Sequence, residues 1–323
     1  MGLPVILSAL LLLPAAGVRG GTWSPLPVAQ QQNPPQETPG KIKVAVELIN
    51  LYASVRDDKR RPVNDLSQEE FRILEDGQEQ KLAFFSRQSD LPVTLGLLMD
   101  TSGSMQRILY AEQEAASRFL AQVMRKGDLS FVMSFDSNVD LLADHTDDPN
   151  RLERAIHGAR INAPSGLGPL PSSRGGTLLY DAIYLACYEK LAGEAGRKAI
   201  VLLSDAVDTG SRKSLEAAIE GAQRTDTVIH VLFIEDVEGY GGGGGGVARK
   251  LAEETGGRMV PVRSEKDLKR AFDTLSEEFR TYYTLGYYPS NASRDGKFRK
   301  VKVETTRKDL RVLTRKGYYS SRN

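Results

Sequence analysis

Leu95-Gly96-Leu97-Leu98-Met99-Asp100-Thr101-Ser102-Gly103-Ser104-Met105 is an apolar strand that runs straight into a turn of oxygen-bearing side chains. The nearly unbroken apolar run over 93–99 is the mark of a parallel strand covered on both faces. The Asp-x-Ser-x-Ser spacing can then point Asp100, Ser102 and Ser104 into one pocket while the backbone turns from strand to helix. A carboxylate with two hydroxyls suits a small hard cation that takes only oxygen ligands. The stretch reads as the first part of a divalent-metal site, with further ligands to be sought elsewhere in the chain.

Beyond it, Met105, Ile108, Leu109, Ala115, Ala116, Phe119, Leu120 and Val123 recur at helical spacing. Strands are expected at 129–135, 199–203, 228–234 and 259–262, with 139–142 as an edge partner. Helices are expected at 151–157, 178–191, 214–223, 247–254 and 267–281, and a Pro/Gly/Ser loop at 164–176. Strands alternating with helices predict right-handed βαβ units and an α/β fold with a doubly wound, mostly parallel sheet. The run Gly241 to Gly246 lacks a following Gly-Lys-Ser/Thr and reads as a flexible surface insertion, not a phosphate loop.

Open α/β sheets bind ligands beyond the carboxyl ends of their strands, and two more oxygen-bearing residues fall there. Thr177 follows Arg174-Gly175-Gly176 just before a helix, and Asp205 ends a strand in Leu203-Ser204-Asp205-Ala206-Val207-Asp208. Each residue has a plainer reading: the serines and Thr177 as helix caps, Asp205 as a turn residue. The arrival of all five in order, each at a strand-to-helix junction, favours a shared site.

Both flanks have a different texture. Ile42, Val44, Val46 and Ile49 alternate with polar residues, 52–55 continues, and Asp76-Gly77 between apolar runs signals a hairpin. The tail is strand-like at 282–288, 298–303 and 310–313. Neither flank is large enough to stand alone, so the two are expected to pair into one small antiparallel β-sandwich-like domain, 41–90 with 282–323, holding the α/β domain at 91–281 between them.

The apolar segment 1–20 is shorter than the roughly 20 apolar residues of a membrane span and reads as a cleaved secretory signal, with an uncleaved anchor as the alternative. Residues 21–40, rich in Pro and Gln, read as a linker. Export to a periplasm, a cell surface or the medium follows. Across 323 residues, 43 Lys and Arg face 42 Asp and Glu, so no overall field steers the chain to nucleic acid. Cys187 stands alone and reads as a buried small hydrophobe. His145, His157 and His230 are scattered, and no Gly-x-Ser-x-Gly elbow occurs.

The α/β block, about 91–281, resembles the von Willebrand factor A domain, and Asp100, Ser102, Ser104, Thr177 and Asp205 match its metal-ion-dependent adhesion site in type and order. Ala206 departs from the pattern, standing where these domains often have glycine, and the resemblance leaves open whether Asp208 helps to hold the site. The flanks resemble a secreted bacterial family related to this domain. They do so through Val63-Asn64-Asp65-Leu66, Phe71 and Glu75-Asp76-Gly77, and through Leu285-Gly286-Tyr287-Tyr288-Pro289 and Arg315-Lys316-Gly317-Tyr318-Tyr319.

The resemblance implies Mg²⁺, with Mn²⁺ or Ca²⁺ as substitutes. Ser102, Ser104 and at times Thr177 would touch the metal, and Asp100 and Asp205 would act largely through water. A protein ligand offering a carboxylate would complete the shell. The expected function is an exported, non-enzymatic, adhesion-type module. A metal-dependent hydrolase and a structural component with a vestigial site are the alternatives.

Overall fold

The computed structural model describes residues 48–59, 61–87, 91–161, 176–235 and 243–322. The readings at 1–20, 21–40, 42–46 and most of the loop 164–176 lie outside the described residues.

The decisive stretch forms strand β5 (Val93–Asp100), buried along nearly its whole length. It lies between β6 (Leu129–Phe135) and β8 (Arg197–Ser204), parallel to both. Beyond β8 come β9 (Thr227–Ile234) and β10 (Met259–Val262), again parallel. The antiparallel β7 (Val139–Thr146) closes the other edge, so the sheet runs β10-β9-β8-β5-β6-β7.

Alternate side chains of β5 serve two cores. Leu95, Leu97 and Met99 pack against α1 (Leu109–Val123), α2 (Pro149–Gly158) and α6 (Glu265–Arg280). Leu98 faces α3 (Leu179–Leu185), α4 (Leu215–Arg224) and α5 (Gly244–Thr255). Gly96 carries no side chain because a Cβ there would stand 2.4 Å from the Phe131 ring of the neighbouring strand. The doubly wound expectation therefore holds, since a strand covered on both faces must be apolar on both.

The flanking segments pair with each other. Strand β1 (Ile49–Arg56) lies antiparallel between β11 (Tyr283–Tyr287) and β13 (Arg311–Leu313), with β4 (Leu82–Arg87) beyond β11. A second sheet has the order β14-β12-β2-β3, built from β2 (Phe71–Glu75), β3 (Gln78–Gln80), β12 (Phe298–Thr305) and β14 (Gly317–Tyr319). One apolar core, including Leu51, Ile73, Leu285 and Val303, joins the two sheets.

Asp76 and Gly77 have φ of 49° and 85° and make the two-residue turn between β2 and β3, as the dipeptide predicts. The chain then leaves that sheet, and β4 pairs with β11 instead, so the N-terminal strands are shared between two sheets rather than forming one unit. Among the tail tyrosines, Tyr287 and Tyr318 donate to the buried Glu75 at 2.6 and 2.9 Å. Burial and this shared carboxylate raise both phenol pKa values, so these rings are core and not contact surface.

Three helices differ from expectation. Residues 103–105 form a single 3₁₀ turn and α1 begins only at Leu109, because the backbone of Met105 donates to Ser102 and holds the serine turn tight. Helix α5 begins three residues earlier than the sequence suggests, at Gly244. The helix after Thr177 widens into a π turn at Ala186–Leu191 that contains Cys187. That thiol is fully buried and pushed up to about 12, the character of a small apolar side chain.

Candidate functional site

Asp100 ends the central strand and is completely buried. Its Oδ1 accepts from the Ser102 backbone N–H at 2.9 Å, and its Oδ2 accepts from the Ser204 hydroxyl at 2.6 Å. Ser204 ends the neighbouring β8, and its oxygen also accepts from the Ala206 N–H at 2.8 Å. One carboxylate thus ties the two loops together. Burial, less the relief from these bonds and with Asp205 nearby, raises its pKa to about 6.

Ser102 has extended backbone at the head of the 3₁₀ turn, and its side chain makes no capping bond. Its Oγ instead lies 3.0 Å from the Oγ of exposed Ser104. The half-buried Asp205 accepts from Val207 N–H at 3.1 Å, and it shares with Ser104 the wall of a cavity of about 220 Å³.

Thr177 is buried and joined to the 205–210 loop through its backbone: its N–H donates to Thr209 Oγ1 at 2.8 Å, and its carbonyl accepts from Thr209 and Gly210. Leu178, not Thr177, occupies the cap position of α3. Among the described residues, no hydrogen bond joins the Thr177 hydroxyl to the other four site residues. Hydrogen bonds thus join Asp100, Ser102 and Ser104 into one group, Asp205 follows Ser204 and shares a cavity wall with Ser104, and Thr177 lies on a further loop.

Three contributors escape the sequence reading. Ser204 supports Asp100 from beneath, and its signal is a hydroxyl at the end of an apolar strand. Asp136, after β6, accepts from Thr101 Oγ1 at 3.1 Å through its side chain and from Leu178 N–H at 2.8 Å through its carbonyl, linking the serine turn to α3. Glu112 is fully buried in α1, and neither of its oxygens has a hydrogen-bond partner. Burial first and the Asp100 charge second raise its pKa well above the ordinary carboxylate value. Its signal is a carboxylate within the apolar stripe of α1. Asp208 is now placed as well: it accepts from Tyr180 N–H at 3.2 Å and from Ser211, and so orders the loop against α3.

Ala206 takes φ of 56°, a left-handed conformation that costs a residue with a Cβ about 1–2 kcal/mol. Gly244, at the start of α5, approaches the same peptide so closely that a Cβ would stand 1.8 Å from the Asp205 carbonyl oxygen. Within the described part of the glycine run, Gly244 is buried beneath Asp205, while Gly243 and Gly246 are exposed. Gly244→Ala is expected to destabilise the fold by on the order of 2–3 kcal/mol through forced displacement of backbone, read from the midpoint of chemical denaturation.

The donor set fits a small divalent cation in one measurable respect. Adjacent oxygens of an octahedron around Mg²⁺ stand about 2.8–3.0 Å apart at metal–oxygen lengths of about 2.0–2.1 Å. The Ser102 and Ser104 hydroxyls stand 3.0 Å apart. The group is not a carboxylate cage: among the described residues no three His, Cys, Asp or Glu side chains gather to hold an ion. Two acids with neutral hydroxyls would leave a bound cation electrophilic toward a further oxygen.

Residues 95–208 match the model of the von Willebrand factor type A domain. A von Willebrand factor type A protein from Catenulispora acidiphila superposes with a TM-score of 0.50 at 12% identity, covering 84% of this chain and 73% of that one. The conserved hypothetical protein BatB from Bacteroides thetaiotaomicron gives 0.45 at 19%, covering 57% of this chain and 98% of its own. The vWF domain of the type V pili tip protein Mfa5 from Porphyromonas gingivalis gives 0.45 at 15%, covering 58% and 95%. At these identities the likeness is one of fold. No curated protein matches the chain. Among the described residues no helix is long and apolar enough to cross a membrane.

Proposed function

We propose that this chain is an exported adhesion-type module that captures a protein ligand through a divalent cation held by Asp100, Ser102, Ser104, Thr177 and Asp205. Mg²⁺ is the proposed ion, with Mn²⁺ or Ca²⁺ as substitutes, and a ligand carboxylate completes its shell. The observation that carries the reading is the pair of mutually hydrogen-bonded serine hydroxyls, 3.0 Å apart, in a turn whose backbone N–H donates to the buried Asp100 carboxylate. The segments 41–90 and 282–323 act as one supporting domain that presents the 91–281 domain.

Binding, and not turnover, is the better reading of this chemistry. A hydrolase needs a base within reach of the metal. No histidine lines the cavity beside Asp205, and of its two glutamates Glu235 is paired with Arg263 and Glu265 is exposed.

The test is calorimetric titration of Mg²⁺ into chelator-treated protein, with a pull-down from the native surface fraction in Mg²⁺ and in chelator. One Mg²⁺ per chain, and capture lost in chelator, are expected. Capture undiminished by chelator would sink the proposal.

A further inference from the structure

Thr177 is held in place through main-chain bonds. Its own N–H donates to Thr209 Oγ1 at 2.8 Å, and one residue further on the Leu178 N–H donates to the carbonyl of Asp136 at 2.8 Å. Asp136 directly follows β6, the parallel neighbour of the central strand, and is 5% exposed.

The Asp136 carboxylate accepts from three donors. Its Oδ1 takes the Asn138 N–H at 2.9 Å and the Ser137 hydroxyl at 3.1 Å, and its Oδ2 takes Thr101 Oγ1 at 3.1 Å. Thr101 is buried between Asp100 and Ser102, and its N–H donates to the Phe135 carbonyl at 2.9 Å. The bonds to Ser137 and Asn138 suffice for a local turn. Those to Thr101 and Leu178 have no part in that turn: the side chain grips the serine turn while the main chain grips the start of α3.

Building on the metal-dependent reading above, we infer that Asp136 is a positioning residue that holds Thr177 in register with the serine turn, so that the Thr177 hydroxyl serves the same cation as Ser102 and Ser104. Asp136→Ala uncouples the two loops. Asp136→Asn keeps them coupled: the amide oxygen accepts from Asn138, and the amide N–H donates to Thr101 Oγ1, which turns its own proton to the Phe135 carbonyl, 3.3 Å away.

The experiment is calorimetric titration of Mg²⁺ into the full chain for the wild type, Asp136→Ala, Asp136→Asn, Thr177→Val and the Asp136→Ala/Thr177→Val double variant. The Thr177 methyl resonance is followed by NMR in the metal-free wild type and the two Asp136 variants. Asp136→Ala and Thr177→Val are each expected to weaken Mg²⁺ binding about tenfold, the scale of one hydrogen bond to a charged group. The double variant should bind no more weakly than the weaker single variant, because the Asp136 effect passes through Thr177. Asp136→Asn should stay within about twofold of the wild type, since its hydrogen bonds are replaced in kind. The metal-free Thr177 methyl should move in Asp136→Ala and stay in Asp136→Asn. If Asp136→Ala does not fold, Thr101→Val cuts the same link from the other side and takes its place.

Losses that add in the double variant, wild-type affinity in either single variant, Asp136→Asn as weak as Asp136→Ala, or an unmoved Thr177 methyl would overturn the inference while leaving metal binding intact. A wild-type chain that binds no Mg²⁺ would overturn the metal reading and this role of Asp136 with it.

Discussion

Asp100→Asn is expected to make the metal-free protein more stable at neutral pH and to abolish its response to Mg²⁺. The wild-type carboxyl is completely buried, and its folded pKa of about 6 lies above the unfolded value of 3.8. A raised carboxyl binds more protons folded than unfolded, so in chelator stability falls as pH rises from about 4 to about 6 and stays low above that. The loss amounts to roughly 3 kcal/mol at full ionisation. Glu112, likewise raised by burial, contributes a decline of the same sign.

Asparagine cannot ionise, which removes the decline due to position 100. Its amide must face the Ser204 hydroxyl, which already accepts from Ala206, so part of the gain is returned. The net expectation at pH 8 in chelator is about 1–3 kcal/mol in favour of Asp100→Asn. With Mg²⁺ the gap closes or reverses: at a hundred times the dissociation constant the wild type gains about 2.7 kcal/mol, and the variant gains none. Urea titrations at pH 4, 6 and 8, each with Mg²⁺ and with chelator, separate the two effects. A wild-type curve flat between pH 4 and 6, or a variant still stabilised by Mg²⁺, would count against this account.

The second large effect is expected far from the site. Glu278, near the end of α6 and 2% exposed, meets Arg56 of β1 at 2.7 Å and Arg258 at 2.6 Å. His230 lies 3.8 Å away, and burial together with Arg197, Arg258 and Arg56 pushes its pKa down to about 3, so it is neutral. Arg197 stacks over Phe279 and Tyr282 at 4.8 and 4.3 Å. Glu278 therefore pairs with the buried Arg56 and the half-buried Arg258 where the β flank meets the α/β block.

Removing one partner of such a group leaves uncompensated buried charge, which costs about 3–5 kcal/mol. Glu278→Ala should lose that much in equilibrium denaturation, and Glu278→Gln, which keeps the shape and a hydrogen bond, should lose less. A Glu278→Ala loss below about 1 kcal/mol, the scale of an exposed ion pair, would show that the cluster is hydrated and not buried.

Much of the fold is legible in the chain because its signals are local. The switch from alternating to helical period at 92, the Asp-Gly hairpin and the apolar run of β5 each report on a few neighbouring residues. The serine turn is equally local, since Asp100, Ser102 and Ser104 meet within five positions. Thr177 and Asp205 are legible as candidates because a parallel sheet gathers the carboxyl ends of its strands on one edge.

What the sequence determined by itself is the element order, the two-faced central strand and the identity of the oxygen-bearing residues at its end. Tertiary structure alone decided which partners complete them. Ser204 reaches Asp100 across 104 positions, Tyr287 reaches Glu75 across 212, and Gly244 lies under Asp205 by backbone contact alone. It also divided β2 and β4 between two sheets and buried Glu112 without a hydrogen-bond partner. A residue's neighbours in sequence set its backbone and its face, but hydrogen bonds and desolvation depend on which distant segment the topology lays beside it.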